Sequence, residues 1–434
     1  MACLIPEEEP RQHILRTCLI GVGGAGGNII SALYEAFASH KMAKPQSFFQ
    51  NIDFLAINTD AQDLKKLKGV DTHCIGDQVC GGLGAGADPK KGAESALESK
   101  EELLQRLDNF EFIFIFAGLG GGTGTGATPE ICKALVEQNK PHRLVVVCYI
   151  YPFATVRSQR VMSNACIKTT SDQLNKNGGI ILLSNEKYVG YRLRGDREIE
   201  DTFTDTFEKV NKDLIKLMMV FMETIYIGGT LNLDYSDFVK IVKDGGPILN
   251  MSYGIANDDD ETPHEVIDSL RKGISFSPVV FSHAKGALIN FFNKRFGRDS
   301  IREILGDVSV LEHNDSIQLN YGINESSEQM KIFMLISTEY SEEMLNEWVR
   351  ESDEFSQRIH QEVKSRIQRT HQIKQDYEPQ DISPPFSSLK KPEITQTANN
   401  PDGKFAIYSI TEEILDNPMP ALSRINRKLR FPRN

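Results

Sequence analysis

A run of glycine and threonine, Gly118-Leu119-Gly120-Gly121-Gly122-Thr123-Gly124-Thr125-Gly126, follows directly on the uncharged apolar stretch 112–117. A strand that turns into nearly pure glycine exposes consecutive backbone N–H groups with no Cβ in the way. Those groups, with the Thr123 and Thr125 hydroxyls, suit a phosphate chain. Pro129-Glu130 reads as the first turn of a helix, with Ala127 and Thr128 leading in. A flexible linker would not sit flush between a strand and a helix start. The run is not a P-loop either, because Ala127 stands where that motif needs Lys followed by Ser or Thr.

A second glycine loop, Gly21-Val22-Gly23-Gly24-Ala25-Gly26-Gly27-Asn28, follows the first apolar run and opens a helical stretch. Gly21, Gly23 and Gly26 have the spacing of a dinucleotide fingerprint. That fingerprint also needs an acidic residue about 20 positions on, at the end of the next strand. Here the second strand ends later, in Asn58-Thr59-Asp60, and a second polyglycine loop has no role in a dehydrogenase. NAD binding would be needed to revive that reading.

The 434 residues suffice for two or three domains, and 40% hydrophobic with 25% charged residues suits sizeable soluble cores. A net charge of −11 disfavours nonspecific nucleic-acid binding. The seven cysteines, Cys3, Cys18, Cys74, Cys80, Cys132, Cys148 and Cys166, are odd in number and form no CxxC. Reduced thiols in a cytosol fit this pattern, with no zinc site and no disulfide framework. Residues 6–16 are polar and mixed in charge, unlike a signal peptide. The uncharged stretch 112–129 is half Gly and Thr, so it is not a transmembrane helix. Membrane contact is then peripheral or through a partner.

Continuously apolar runs at 17–20, 54–57, 112–117, 144–151 and 180–183 read as buried parallel strands. Their alternation with helical stretches predicts an α/β fold with a doubly wound parallel sheet. In such a sheet ligands bind at the carboxyl ends of the strands, where the loops above lie. Phe203, Phe207, Val210, Leu214, Leu217 and Phe221 predict a long helix over 198–224 with a buried stripe. A smaller α+β domain follows, with strands expected at 279–282, 287–292, 316–321 and 330–337. The acidic run 258–261 reads as a solvated loop rather than a metal site. The expected division is a flexible tail (1–16), a Rossmann-like nucleotide domain (17–200), a central helix (201–225) and a second domain (226–340). Beyond these come a charged, weakly docked helix (341–374), a disordered linker (375–409) and a recognition peptide (410–434).

The order and content of these loops resemble the tubulin and FtsZ superfamily of GTPases, and FtsZ most closely. The FtsZ pattern GVGG-x-GGN matches through Asn28, and NTDAQ matches Asn58-Thr59-Asp60-Ala61-Gln62. A GLGAGA-[ND]-P loop matches Gly82 to Pro89, and GGGTGTG matches Gly120 to Gly126. The resemblance covers about 17–337, with extra residues around 40–50. It implies GTP/GDP and Mg²⁺, with the Mg²⁺ bridging phosphate oxygens and keeping most of its waters. It implies nucleotide contacts at Gly23, Gly24, Ala25, Gly26, Gly27, Asn28, Asn58, Asp60, Ala85 and Gly86. It adds Gly120, Gly121, Gly122, Thr123, Gly124, Thr125, Arg160 and Asn185. Phe207 would stack on guanine and Asn211 would bond its edge, although Phe207 reads equally well as ordinary core. Val156 stands where the family usually has a ribose-binding Glu, and Asn185 lacks the usual preceding Pro.

Asn232-Leu233-Asp234-Tyr235-Ser236-Asp237 resembles the family's NxDxxD loop. This implies that Asn232, Asp234 and Asp237 are catalytic, acting on the nucleotide of the next subunit. Asp234 or Ser236 would also serve to cap a helix. The stretch 415–424 is similar to the peptide LDIPAFLR that ends FtsZ, with altered spacing. The implied partners are copies of the chain, in a head-to-tail polymer, and membrane-tethering adaptors bound through 410–434. The implied location is the cytoplasm, at a division site or the inner membrane surface. A tubulin-like regulatory protein with little turnover is the alternative.

Overall fold

Strands lacking polar residues have no solvent-facing side and must be covered on both faces. Residues 112–117 are the clearest case, each one buried. In the computed structural model, which describes residues 15–43, 48–174, 176–194, 197–273, 275–309 and 317–376, such runs become the inner strands of one ten-stranded sheet.

The first part holds β1 (Thr17–Val22), β2 (Ile52–Asn58), β3 (Asp71–Cys74), β4 (Phe112–Gly118), β5 (Leu144–Tyr151) and β6 (Gly178–Ser184). Between them run α1 (Gly23–Ala43), α2 (Ala61–Lys66), α3 (Pro89–Glu98), α4 (Lys100–Arg106), α5 (Gly122–Glu137) and α6 (Arg157–Leu174). In space the strands lie in the order β3-β2-β1-β4-β5-β6, all parallel. The order reverses between β1 and β4, and the crevice at the carboxyl ends of such a pair is the ligand position of doubly wound sheets. Both α1 and α5 begin there.

A hairpin, β7 (Tyr191–Arg194) and β8 (Arg197–Glu200), precedes α7 (Phe203–Tyr226) and α8 (Tyr235–Gly245). Then follow β9 (Ile248–Ile255), α9 (Pro263–Lys272), α10 (Pro278–Ser282), β10 (Gly286–Phe292) and α11 (Arg298–Ser309). The last elements are β11 (Gln318–Asn324), β12 (Lys331–Thr338) and α12 (Glu342–Asp376). β9 pairs in parallel with β6, so one sheet continues past residue 225. β12 and β10 then add antiparallel pairs, and β11 closes the edge in parallel with β10.

α7 has 24 residues and is about 36 Å long at ~1.5 Å per residue. Val210, Leu214, Leu217 and Phe221 are its buried stripe, while Phe203 is 64% and Phe207 47% exposed, against the expectation that they continue it. Tyr226 at its far end lies 2.6 Å, hydroxyl to hydroxyl, from Thr17 at the start of β1. α7 therefore runs along the sheet from the carboxyl ends of the strands to their amino ends.

Several expectations are corrected. Residues 279–282 belong to α10, because Pro278 opens the turn and the Ser277 hydroxyl accepts from Val280 N–H, outweighing the β preference of the valines. Pro129 lies inside α5 rather than in its first turn. A proline there deprives the Thr125 carbonyl of its helical donor, and the Cys166 thiol donates to that carbonyl instead at 3.2 Å. β9 escapes a pattern search because Asn250 and Ser252 interrupt it; both are buried, and Asn250 donates to the Ser275 carbonyl.

α12 is firmly docked at its start. Met344, Leu345 and Trp348 are each 2% exposed, and Trp348 meets Tyr151 of β5 edge-on at 5.5 Å. Trp348→Ala is expected to destabilise the protein by about 3–5 kcal/mol, read as a lower urea midpoint. No helix among the described residues is long and apolar enough to cross a membrane. The tail expected at 1–16 is described only for its last two residues, and both the linker beyond 376 and the peptide 410–434 lie outside the described residues.

Candidate functional site

Two helix N-termini meet at the strand-order reversal. α5 starts after Gly121, which has no side chain to cap it, so its first N–H groups face the crevice without an intrahelical partner. Gly120 turns the chain with φ of 89°, a backbone conformation that a Cβ disfavours. Its N–H donates to Thr125 Oγ1 at 2.9 Å, and Thr123 Oγ1 lies 2.7 Å from Thr59 Oγ1. The two threonines thus brace the loop and tie it to the end of β2. α1 begins so close by that a Cβ on Gly23 would stand 3.0 Å from Gly124 N.

The loop 82–88 closes one side. Gly84 N–H donates to the Thr59 carbonyl and Ala61 N–H to the Gly82 carbonyl, both at 3.0 Å. Asp60 caps α2 through the N–H groups of Gln62 and Asp63, and the Asn58 side chain accepts from Thr59 N–H. Ala85 reaches the start of α5, where a Cβ on Gly122 would meet it at 2.8 Å. These contacts hold Asn58, Asp60 and Ala85 in one loop cluster beside the cradle, with Gly86 next in the chain and open around it.

Beyond the cradle opens a cavity of about 580 Å³. Ala25, Asn28 and Ile29 of α1 line one wall, and Gly118, Leu119, Pro152 and Phe153 form the floor and far side. α7 supplies Thr204, Phe207, Glu208 and Asn211. These four fall at i, i+3, i+4 and i+7 on one helix face, beside Val210 of the buried stripe, which also lines the cavity. Phe207 stands 6.1 Å from Phe153, and Phe203 joins both rings. Asn185 lines the cavity, and its side-chain oxygen is buried with no hydrogen-bond partner among the described residues. A buried acceptor without a donor needs one from outside the described residues. The uncapped helix start and the aromatic wall fit a nucleotide, its phosphates at the helix N–H groups and its base against the rings. Gln159, Thr204 and Glu208 were not singled out in the sequence. The last two share Phe207's helical spacing and could have been found from it; Gln159 had no signal.

Arg160 does not line this cavity. Asp353 of α12 takes its guanidinium in two bonds of 2.8 Å, and it lies over the Tyr151 ring. Burial works against its charge, but the Asp353 carboxylate outweighs this and raises the Arg160 pKa. The next ion pair along, Lys187 with Glu351, is almost fully buried, and Glu351 also accepts from Ser277 and Val279.

The second cluster lies at the other end of the sheet. Asp234 and Asp237 form a capping box at the start of α8, with Asp234 accepting from Ser236 and Asp237 N–H groups. Asn232 accepts from Gly229 N–H and so closes its own turn. The Tyr235 hydroxyl lies 3.1 Å from each of the Glu111 and His142 carbonyls, sharing its one proton between them; these residues precede the amino ends of β4 and β5. The glycine loop leaves the carboxyl end of β4, seven residues away. At ~3.3 Å per residue the two clusters are on the order of 20 Å apart within one chain.

Residues 16–191 match the Tubulin/FtsZ family, GTPase domain. The chain is 30% identical over 322 residues to "Cell division protein FtsZ 1" of Thermococcus kodakarensis, covering 73% of this chain and 78% of that one. It is 29% identical over 299 residues to "Mitochondrial division protein fszB" of Dictyostelium discoideum, covering 68% and 75%. Among solved structures, an empty FtsZ dimer from M. jannaschii superposes with a TM-score of 0.59 at 25% identity, covering 75% of this chain and 89% of that one. A GTPγS-bound CetZ2 protofilament from Haloferax volcanii shares the fold with a TM-score of 0.61 at 23% identity, covering 81% and 99%.

Proposed function

Because the chain belongs to the tubulin/FtsZ family of GTPases, we propose that it binds GTP in the α1–α5 cradle, stacks head to tail, and hydrolyses GTP at each junction. One observation carries this reading. The carboxylates at the start of α8 and the phosphate cradle lie at opposite ends of one sheet. A subunit stacked on the next brings the α8 end of one copy onto the cradle of the other, which is a heterologous, open-ended contact.

In this reading the N–H groups of Gly121 to Gly124 bind phosphate oxygens, and Gly23 to Asn28 wrap the other side. Asn58, Asp60, Ala85 and Gly86 close the loop cluster over the terminal phosphate. Phe207 stacks on the base, Asn211 and Asn185 bond polar edges, and Asp234 and Asp237 of the neighbouring copy orient the attacking water. Asn232 shapes the loop that carries them. Mg²⁺ would neutralise charge on the phosphates, held by them and by water. The relatives' names point to division, so the filament would act in a cytokinetic ring, cytoplasmic and tethered to the membrane by adaptors binding 410–434.

A second reading, a nucleotide-binding protein with little turnover, is favoured by Val156 at the ribose position and by the capture of Arg160 by Asp353. GTP hydrolysis measured against protein concentration separates the two. A junctional site gives a threshold below which turnover per chain collapses; a rate per chain independent of concentration would sink the junctional site. ATP should compete at least a hundredfold more weakly than GTP, since a cleft that bonds a base edge rejects a base that leaves it unpaired.

A further inference from the structure

The loop between α7 and α8 is held by a strand far from it in sequence. Leu231 and Ile323 of β11 exchange backbone bonds, Leu231 N–H to the Ile323 carbonyl at 3.1 Å and the reverse at 2.9 Å. Asn324 donates to the Gly228 carbonyl, and Leu233 packs against Gly322, where a Cβ would come within 2.8 Å of it. At the other end of the loop, Asn320 of β11 donates from Nδ2 to Asp237 Oδ1 at 2.8 Å.

We infer that Asn320 is a positioning residue for hydrolysis: it fixes the plane of the Asp237 carboxylate that is presented to the neighbouring subunit. This rests on the reading of Asp237 as the water-orienting group. The capping box alone gives Asp237 one bond from its side chain, Oδ2 accepting from Asp234 N–H at 3.1 Å. A carboxylate held by one oxygen still turns about its last torsion, whose well is broad. The Asn320 bond occupies the other oxygen, so two fixed donors on two oxygens define the plane. Each oxygen keeps a further acceptor site for water. Helix capping needs none of this, because the cap is complete within residues 234–237.

A water-orienting group displaced by an ångström or freed to rotate loses much of its effect while substrate binding is unchanged. Asn320 is half-buried on an edge strand, so the isosteric Asn320→Asp keeps the shape, removes the donor and sets a like charge against Asp237.

The test compares Asn320→Asp, Asn320→Gln and Asp237→Ala with the unmodified full chain. For each, kcat is measured at saturating GTP on sedimented filaments, alongside GTP affinity and the amount of polymer. Asn320→Asp should lower kcat about tenfold or more, the usual effect of losing a hydrogen bond to a charged group, with GTP affinity and polymer within twofold. Asn320→Gln keeps an N–H donor on a longer arm and should recover part of the loss. An unchanged kcat in Asn320→Asp, beside an inactive Asp237→Ala, overturns the inference and leaves the junctional reading standing. A loss in Asn320→Asp that tracks loss of polymer, with kcat per assembled chain intact, also overturns it. Full activity in Asp237→Ala would overturn the reading itself.

Discussion

Equimolar Asp237→Ala and Gly121→Trp chains are expected to hydrolyse GTP together, although each alone is nearly inactive. Asp237→Ala keeps an intact cradle and loses the carboxylate at the far end of the sheet. Gly121→Trp keeps Asp237 and fills the cradle. Gly121 is the position for this blocking group because a Cβ there meets nothing within 4 Å, whereas one on Gly124 would strike the Gly118 carbonyl at 2.3 Å. With random head-to-tail pairing, roughly a quarter of junctions join the good cradle of one chain to the good loop of the other. Loss of a group acting on the transition state costs about a hundredfold or more, so the background from either chain alone should be low. The measurement is phosphate release from each chain and from the mixture, at a concentration where the unmodified protein assembles. If both variants co-sediment and mixing restores nothing, hydrolysis does not use Asp237 across a junction.

Gly124→Ala is expected to abolish GTP binding and lower stability, although it adds a single methyl group. That methyl would lie 2.3 Å from the Gly118 carbonyl oxygen and 3.4 Å from Gly118 N, both of them backbone atoms with no rotamer to yield. Overpacking of this kind costs about 1–3 kcal/mol or more, and relief requires α5 to move off the end of β4. The cradle is made by that junction, so its N–H groups would move with it. Gly121→Ala is the control: its φ of −93° suits any residue and its Cβ has open space. It should change stability by no more than about 0.5 kcal/mol. Thermal melts and fluorescent-GTP titrations of the two variants give the comparison, and normal GTP affinity in Gly124→Ala would refute the close approach.

The parallel sheet was legible because its strands are buried on both faces and therefore read as unbroken apolar runs, as at 112–117 and 144–151. The cradle was legible for a related reason. Glycine is needed where backbones approach within a Cβ radius, and two glycine loops at two strand ends announce two such approaches. α8 was legible from local chemistry alone, since a capping box is a bond between residues three apart. β9 was not, because its interruption by Asn250 is satisfied by Ser275, a partner that no local pattern names.

What the sequence determined by itself is therefore whatever depends on near neighbours or on composition: glycine at the strand ends, apolar runs in the sheet, the cap at Asp234, and the family to which their order points. Only the tertiary structure decided which groups these elements meet. The same Arg160 that motif order assigns to the nucleotide is taken by Asp353, 193 residues later. Phe203 and Phe207 leave the buried stripe to form a cleft wall with Phe153. Asp237, which caps its own helix, is also held by Asn320 from the sheet edge. Each of these contacts depends on how the chain returns to itself, and a charged or aromatic side chain does not carry in its own neighbourhood the identity of the partner that will reach it.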